Sequence, residues 1–192
     1  MATTADSSKV NEMLRRIDEA VAAPDDAGRC RNVKQVLIEI VSSGEQFIPA
    51  SFLTPAGDRY ARRLLHRDPQ NRYTVLVMVW DKGQGTPLHD HAGTWCVECV
   101  YRGVIQVTSY SVRGGDPETD TVRFEQEAQI RAGVGEAGAL IPPFEYHVLG
   151  NPADQPAITI HVYGGEMTFC HIFEPVGEGG YRRKYRELSY TP

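Results

Sequence analysis

The sequence has few cysteines, no excess of basic charge and no long hydrophobic run, and each absence excludes a class of protein. Four cysteines in 192 residues are too few for a disulfide framework, so we expect free thiols. The 20 basic residues are outnumbered by 25 acidic ones, which disfavours nucleic acid as a partner because phosphate binding needs a basic face. The one basic cluster, formed by Arg59, Arg62, Arg63 and Arg67, is too small to reverse that balance.

No stretch reaches the roughly 18 apolar residues of a membrane span, and the first residues lack the pattern of a secretory signal. These absences predict a soluble, cytoplasmic protein without a membrane partner. Hydrophobic residues make up 41% of the chain and charged residues 23%, which are ordinary globular proportions. A chain of 192 residues is long enough for one sizeable core and short for two, so we expect a single domain, either a monomer or a weak homo-oligomer.

Two amphipathic helices are predicted near the N-terminus. Apolar residues at helical spacing mark the first over residues 8–23. The same spacing marks the second over residues 27–43, with Asp26 as a possible N-cap and Gly44 as its stop.

From residue 58 onward, short runs rich in Val, Ile, Tyr and Thr alternate with clusters of Gly, Pro and Asp. This pattern is typical of an antiparallel all-β domain. Strands are predicted near residues 58–66, 72–81, 94–102, 104–113, 121–131, 137–141, 145–150, 156–163, 167–174 and 181–188. So many short strands indicate a barrel or jelly roll. Since short helices need a surface to bury against, residues 1–50 are expected to pack on a barrel formed by residues 51–192.

Two histidines, His89 and His91, are separated by one residue in a segment expected to be extended. Residues two apart in a strand point to the same face with Cα atoms roughly 6–7 Å apart, so both imidazoles can reach one metal ion. A pair of this kind arises by chance often enough to be weak evidence alone. A third histidine, His147, follows Pro142 and Pro143 in another strand-rich region.

The spacing around these histidines resembles the cupin superfamily, whose first motif is G(X)5HXH(X)3,4E(X)6G and whose second ends in H(X)3N. The residues that fit the first motif are Gly83, His89, His91 and Gly103. Those that fit the second are Pro142, His147 and Asn151. Phe144 stands where the second motif has a glycine. The resemblance implies an all-β, cupin-type jelly-roll barrel with a small N-terminal helical extension.

Cys96 occupies the glutamate position of the first motif, as in the cysteine dioxygenase branch of the cupins, which the chain resembles over about residues 58–172. Three further elements resemble motifs of that family. They are a YxR at residues 60–62, an (S/T)xHxY at residues 159–163 and a CH pair at residues 170–171. Because a carboxylate ligand is missing, the resemblance implies three neutral ligands, His89, His91 and His147, around Fe(II).

The resemblance also implies a reaction, the oxidation of L-cysteine by O2 to cysteine sulfinic acid. Arg62, supported by Tyr60 on the same strand face, would bind the substrate carboxylate, which fits the bidentate donor geometry of a guanidinium. The residues of a hydroxyl, imidazole and phenol relay, which alternate along one strand, would be Thr159, His161 and Tyr163. Cys96 could form a thioether cross-link with Tyr163.

Several alternatives stay open. The substrate could be another small thiol such as 3-mercaptopropionate, although that branch tends to carry glutamine in place of Arg62. A zinc or manganese cupin could act as an isomerase or hydrolase, with Glu98 as a fourth ligand or a base. A non-catalytic small-molecule sensor and a purely structural hydrogen-bond chain at Thr159, His161 and Tyr163 are the remaining alternatives.

Overall fold

The computed structural model describes residues 7–118, 121–143 and 145–192, and Phe144 lies outside the described residues. The helices are α1 (Ser7–Ala20) and α2 (Asp26–Ser42), followed by a 3-10 turn at Ala50–Phe52. The strands of the described residues are β1 (Ala61–Arg67), β2 (Thr74–Trp80), β3 (Leu88–His89), β4 (Cys96–Arg102), β5 (Ile105–Gly115), β6 (Thr121–Ala132), β7 (Ala137–Leu140), β8 (Tyr146–Gly150), β9 (Ala157–Tyr163), β10 (Phe169–Gly177) and β11 (Gly180–Glu187).

The strands form two antiparallel groups that face each other. One is a five-stranded sheet in the order β1-β2-β9-β4-β7, and the other closes on itself in the order β10-β11-β6-β5-β8-β3. This is the cupin-type jelly-roll barrel that the sequence predicts, so the predicted fold class is confirmed. The strand that the sequence did not predict is β3, whose two residues are too short to show alternation.

The central strands β2, β9 and β4 of the five-stranded sheet have almost no exposed residues. Successive residues of a strand point to opposite faces, so one face of these strands packs against the helices and the other faces the barrel interior. The residues on the outer face pack in one cluster with the helices and include Val75, Val77, Val97, Cys99, Ile158, Ile160 and Val162. The alternate residues face the barrel interior, where the histidines lie.

Both helices bury their apolar faces on this outer face of the sheet. Met13 and Ile17 of α1, and Leu37 of α2, are fully buried in the same cluster as the strand residues. The N-cap predicted at Asp26 is wrong by one position. Asp25 has the extended backbone of a cap and its carboxylate accepts a hydrogen bond from the backbone N–H of Gly28, whereas Asp26 already lies in the helix.

The helices, the cysteines and the basic cluster can each be compared with the composition. Neither α1 nor α2 of the described residues has the length and hydropathy of a membrane span. All four cysteines are free and buried, which confirms the expected free thiols. The arginine cluster does not form a continuous basic surface, because Arg62 and Arg63 are buried and Arg67 pairs with Glu166.

Candidate metal centre and substrate cavity

Three histidines meet inside the barrel. His89 ends β3 and lies directly opposite His147 of β8, while His91 follows two residues after His89. One ring nitrogen from each of the three lies within 4.8 Å of the others, and all three residues are buried. The Nε2 atoms of His89 and His147 are 3.2 Å apart. The spacing predicted from sequence is therefore realised as one cluster with the dimensions of a metal site.

The protonation of these rings fits a bound cation. His89 Nδ1 lies 3.0 Å from the carbonyl oxygen of Pro87, which can only accept, so Nδ1 carries the hydrogen and Nε2 presents a lone pair to the cluster. Burial lowers the pKa of all three histidines, so each is neutral at physiological pH. Neutral imidazoles with converging lone pairs are the donor set that divalent transition metals prefer.

The loop that carries His91 is tied to strand β10 through Asp90, which sequence reasoning did not single out. Its carboxylate accepts hydrogen bonds from the backbone N–H of His171 at 2.8 Å and of Ala92 at 3.1 Å. Its second oxygen lies 2.9 Å from His171 Nδ1. On the other side, Glu145 accepts a hydrogen bond from the backbone N–H of His91. Two carboxylates thus fix the backbone between the first two histidines.

Glu98, considered above as a fourth ligand, lies behind the cluster instead. Its Oε1 is 3.2 Å from His147 Nδ1, at an angle too bent for a regular hydrogen bond, and its Oε2 is 3.8 Å from His161 Nδ1. Burial raises the pKa of this carboxyl to about 8. Glu98 is not part of the group of ligand atoms, and it contacts the ring nitrogen of His147 that points away from them.

A continuous chain of polar contacts runs along the inner face of β9. Thr159 Oγ1 lies 2.8 Å from His161 Nε2, and His161 Nδ1 lies 3.3 Å from the hydroxyl of Tyr163. The chain begins on β2, where the indole N–H of Trp80 donates to Thr159 Oγ1 at 2.9 Å. The sequence alone does not reveal this contact, because it depends on the register that pairs β2 with β9.

The direction of this hydrogen-bond chain follows from its first member. An indole N–H can only donate, so Thr159 accepts from Trp80 and its own hydrogen is available to His161 Nε2. Burial lowers the pKa of His161 to about 3, and the neutral ring then carries its hydrogen on Nδ1, facing Tyr163. In this arrangement Tyr163 accepts from His161 and keeps its own hydroxyl hydrogen to donate, either to the neighbouring Cys96 sulfur or to a molecule in the cavity.

A cavity beside the histidines contains a buried cation. Arg62 is only 5% exposed, donates to the carbonyl oxygen of Met167 at 2.8 Å and lies 4.9 Å from the ring of Tyr190. Among the described residues no carboxylate pairs with it, so the positive charge of this buried guanidinium has no neutralising partner in the cavity wall. Tyr60 also lines the cavity and stacks on Trp80 with ring centres 4.6 Å apart.

Cys96 and Tyr163 are direct partners across strands β4 and β9. Both side chains belong to one small buried cluster with Leu76 and Met167. Burial raises the pKa of the Cys96 thiol well above its ordinary value, so it is a neutral thiol at physiological pH. The two residues named for a cross-link are therefore adjacent, with the sulfur uncharged.

A solved structure with a related barrel gives only a distant likeness. The double-stranded beta-helix protein from Klebsiella pneumoniae has a TM-score of 0.43 and 18% sequence identity, covering 72% of this chain and 97% of that one. A likeness at this level carries no argument about the function of the cavity.

The sequence matches are more informative. The family model for cysteine dioxygenase type I matches residues 8–175. Cysteine dioxygenase type 1 of Rattus norvegicus is 21% identical over 117 residues, which cover 60% of this chain and 56% of the rat protein. That of Danio rerio is 23% identical over 124 residues. The chain therefore spans little more than half the length of these relatives in the aligned region. Because the family model covers most of its residues, the chain belongs to the cysteine dioxygenase type I family.

Proposed function

We propose that this protein is a thiol dioxygenase that oxidises L-cysteine to cysteine sulfinic acid with O2, using Fe(II) held by His89, His91 and His147. The observation that carries the proposal is the pairing of three neutral, converging imidazoles with a buried arginine that no carboxylate of the described residues neutralises. Membership of the cysteine dioxygenase type I family supports the same chemistry.

The choice of iron rests on the family, since imidazole ligands alone also suit zinc, copper and nickel. A ferrous ion at this site would supply the exchange of electrons with dioxygen that oxidation of sulfur requires. The three histidines add no negative charge, so they leave the charge of a divalent ion uncompensated. An uncompensated cation favours an anionic thiolate over a neutral ligand.

The protein's own residues would then hold the substrate. Arg62 would bind the carboxylate with two parallel N–H donors, which fixes both position and orientation. Tyr60 would limit the space beside Arg62, because its ring is held by the stack on Trp80. Tyr163 would donate its hydroxyl hydrogen to the substrate, since the chain from Trp80 through His161 leaves that hydrogen available to donate. The thioether between Cys96 and Tyr163 stays a prediction.

The alternative of a zinc or manganese isomerase or hydrolase needs a carboxylate on the open side of the metal. Glu98, the candidate for that role, contacts the outer nitrogen of His147 instead. This position gives it no access to a molecule bound on the inner side of the cluster, so the geometry favours the dioxygenase.

The test is oxygen consumption by Fe(II)-loaded protein, with L-cysteine and 3-mercaptopropionate assayed side by side and the product identified by mass. We expect one O2 consumed per cysteine and a product heavier by two oxygen atoms. Preferential turnover of 3-mercaptopropionate would keep the enzyme class and change the substrate. Stoichiometric zinc in anaerobically purified protein, together with no thiol-dependent oxygen consumption, would refute the proposal.

A further inference from the structure

A second arginine lies at the mouth of the cavity that holds Arg62. Arg186 of β11 is the direct partner of Cys170 on β10, and cross-strand partners point to the same side of a sheet. Cys170 is buried in the cavity wall, so Arg186 also points toward the cavity. Both residues line the same cavity as His89 and Arg62.

The charge of Arg186 is not neutralised within the structure. Its neighbours on β11 have acidic partners, with Arg183 3.0 Å from Glu118 and Lys184 2.5 Å from Glu174. Within the described ranges, Arg186 makes no hydrogen bond or ion pair of this kind. Arg186 lines the cavity beside its cross-strand partner Cys170, so its charge lies at the cavity wall.

The other charged residues at the mouth do not provide an acidic partner for Arg186. Asp58 and Arg59 are both exposed and carry opposite charges. Glu187 follows Arg186 directly, so strand alternation points it to the opposite face. Glu187 lies on the outer rim and does not line the inner cavity with the histidines. Arg186 is therefore an unpaired cation that faces the path to the metal site.

The cavity has two arginines, Arg62 and Arg186, whereas a single carboxylate can be bound by one. Arg62 alone can bind the carboxylate of a simple thiol acid through two parallel N–H donors of its guanidinium. We propose that Arg186 is a specificity-determining residue that binds a second carboxylate, so a thiol with two acidic groups binds more tightly than an otherwise similar thiol with one. This inference rests on the proposed thiol dioxygenase function, and it names the substrate class of the same site. Because Arg186 is exposed, the second carboxylate lies at the mouth, farther from the interior than the carboxylate on Arg62.

The inference is tested by binding, without turnover. Fe(II)-loaded protein is titrated anaerobically, by calorimetry, with 2-mercaptosuccinate and with 3-mercaptopropionate, which differ by one carboxylate. We expect the dicarboxylate to bind about tenfold more tightly or better, as a charge-assisted hydrogen bond allows. In Arg186→Gln that ratio should fall to near one, with the Kd of 3-mercaptopropionate unchanged. Arg182→Gln, which removes an exposed arginine on the same strand but outside the cavity, should keep the wild-type ratio.

The remaining outcomes separate this inference from the proposed function. If 2-mercaptosuccinate keeps its full affinity ratio over 3-mercaptopropionate in Arg186→Gln, its second carboxylate is held by the metal. That result would overturn the role of Arg186. Equal loss for both thiols would also overturn it, since Arg186 would then attract any anion. If the predicted ratios hold but no thiol consumes oxygen, the anion site stands and the dioxygenase proposal fails.

Discussion

The surroundings of Arg62 indicate that this residue binds an anionic ligand. A carbonyl oxygen and an aromatic ring are its neighbours inside the protein, and neither carries the negative charge that a buried guanidinium requires. The residue is held in place before substrate arrives, so little side-chain entropy is lost when the carboxylate binds.

We predict that Arg62→Ala raises the KM for L-cysteine by roughly ten- to a hundredfold, the range expected for losing hydrogen bonds to a charged group. Iron content should be unchanged, because Arg62 lies outside the histidine cluster. Oxygen-electrode kinetics and metal analysis measure the two effects. Arg15→Ala, which removes an exposed ion pair with Glu19 on α1, is the control and should leave both unchanged. Unaltered kinetics in Arg62→Ala would remove the carboxylate clamp.

Trp80 tests whether the hydrogen-bond chain along β9 positions Tyr163 or only satisfies a polar core. Trp80→Phe removes the indole donor and keeps an aromatic ring for the stack with Tyr60. Without that donor Thr159 can rotate, and His161 loses its fixed tautomer. We predict that kcat falls by about tenfold, less than the roughly 100- to 10,000-fold contribution of a positioned proton donor itself, because Trp80 acts only through Thr159 and His161. KM and iron content should be unchanged. An unchanged kcat would mean that the chain is structural.

At the scale of elements, the short segment from His89 to His91 depends on a neighbouring strand for its shape. Two residues of β3 cannot define a loop by their own ladder, so the carboxylate of Asp90 supplies the missing anchor on β10. Supporting carboxylates of this kind influence metal affinity although they do not touch the ion.

Asp90→Ala is therefore predicted to weaken Fe(II) binding by roughly ten- to a hundredfold. Competition with a chelator under anaerobic conditions measures the affinity. Asp154→Asn, at an exposed position that pairs only with Lys82, provides the matched control. If Asp90→Ala retains wild-type affinity, the loop is held by its own backbone and by Glu145.

A second element, the turn between β1 and β2, carries a pH dependence. The hydrogen bond from the Arg72 side chain lowers the pKa of Asp68 from 3.8 to about 2, and Arg72 also pairs with Asp18 of α1. A folded-state pKa below the unfolded one stabilises the protein above about pH 4 and loses that effect as the pH falls through about 2. Asp68→Asn should be less stable at pH 7 by about 1–3 kcal/mol. Urea unfolding should show that this difference shrinks at low pH, and a constant difference would contradict the assignment.

Periodicity in the sequence predicted both helices and all strands except β3, because alternation and helical spacing are local properties. The histidine cluster was predictable because two of its members are two residues apart and the third carries a family motif. Trp80 and Arg186 were not predictable, since their roles depend on which strands are neighbours and in which register. The misplaced N-cap of α2 shows the limit at element ends, where Asp25 and Asp26 are equally suitable by type.

At the scale of the whole molecule, one sheet supports both the chemistry and the helices. Strands β2, β4 and β9 present polar site residues to the barrel interior and apolar residues to α1 and α2. A substitution on the helix-facing side therefore affects the site through strands β2, β4 and β9, which carry residues on both faces. This arrangement predicts one cooperative unit, in which α1 and α2 do not unfold ahead of the barrel.

Leu37→Ala tests this prediction from the side remote from the metal. Leu37 is fully buried between α2 and the sheet, so its truncation should cost about 2–5 kcal/mol. For a chain of this size we expect Tm to fall by roughly 5–20 °C. Circular dichroism follows the helices, and fluorescence follows Trp80 inside the barrel together with Trp95 in the cluster that the sheet shares with the helices, so coincident transitions indicate one unit. Arg31→Ala, on the exposed face of α2, should leave Tm unchanged. If the helical signal of Leu37→Ala is lost at a lower temperature than the fluorescence signal, the helices form a separable layer and the shared-sheet account is wrong.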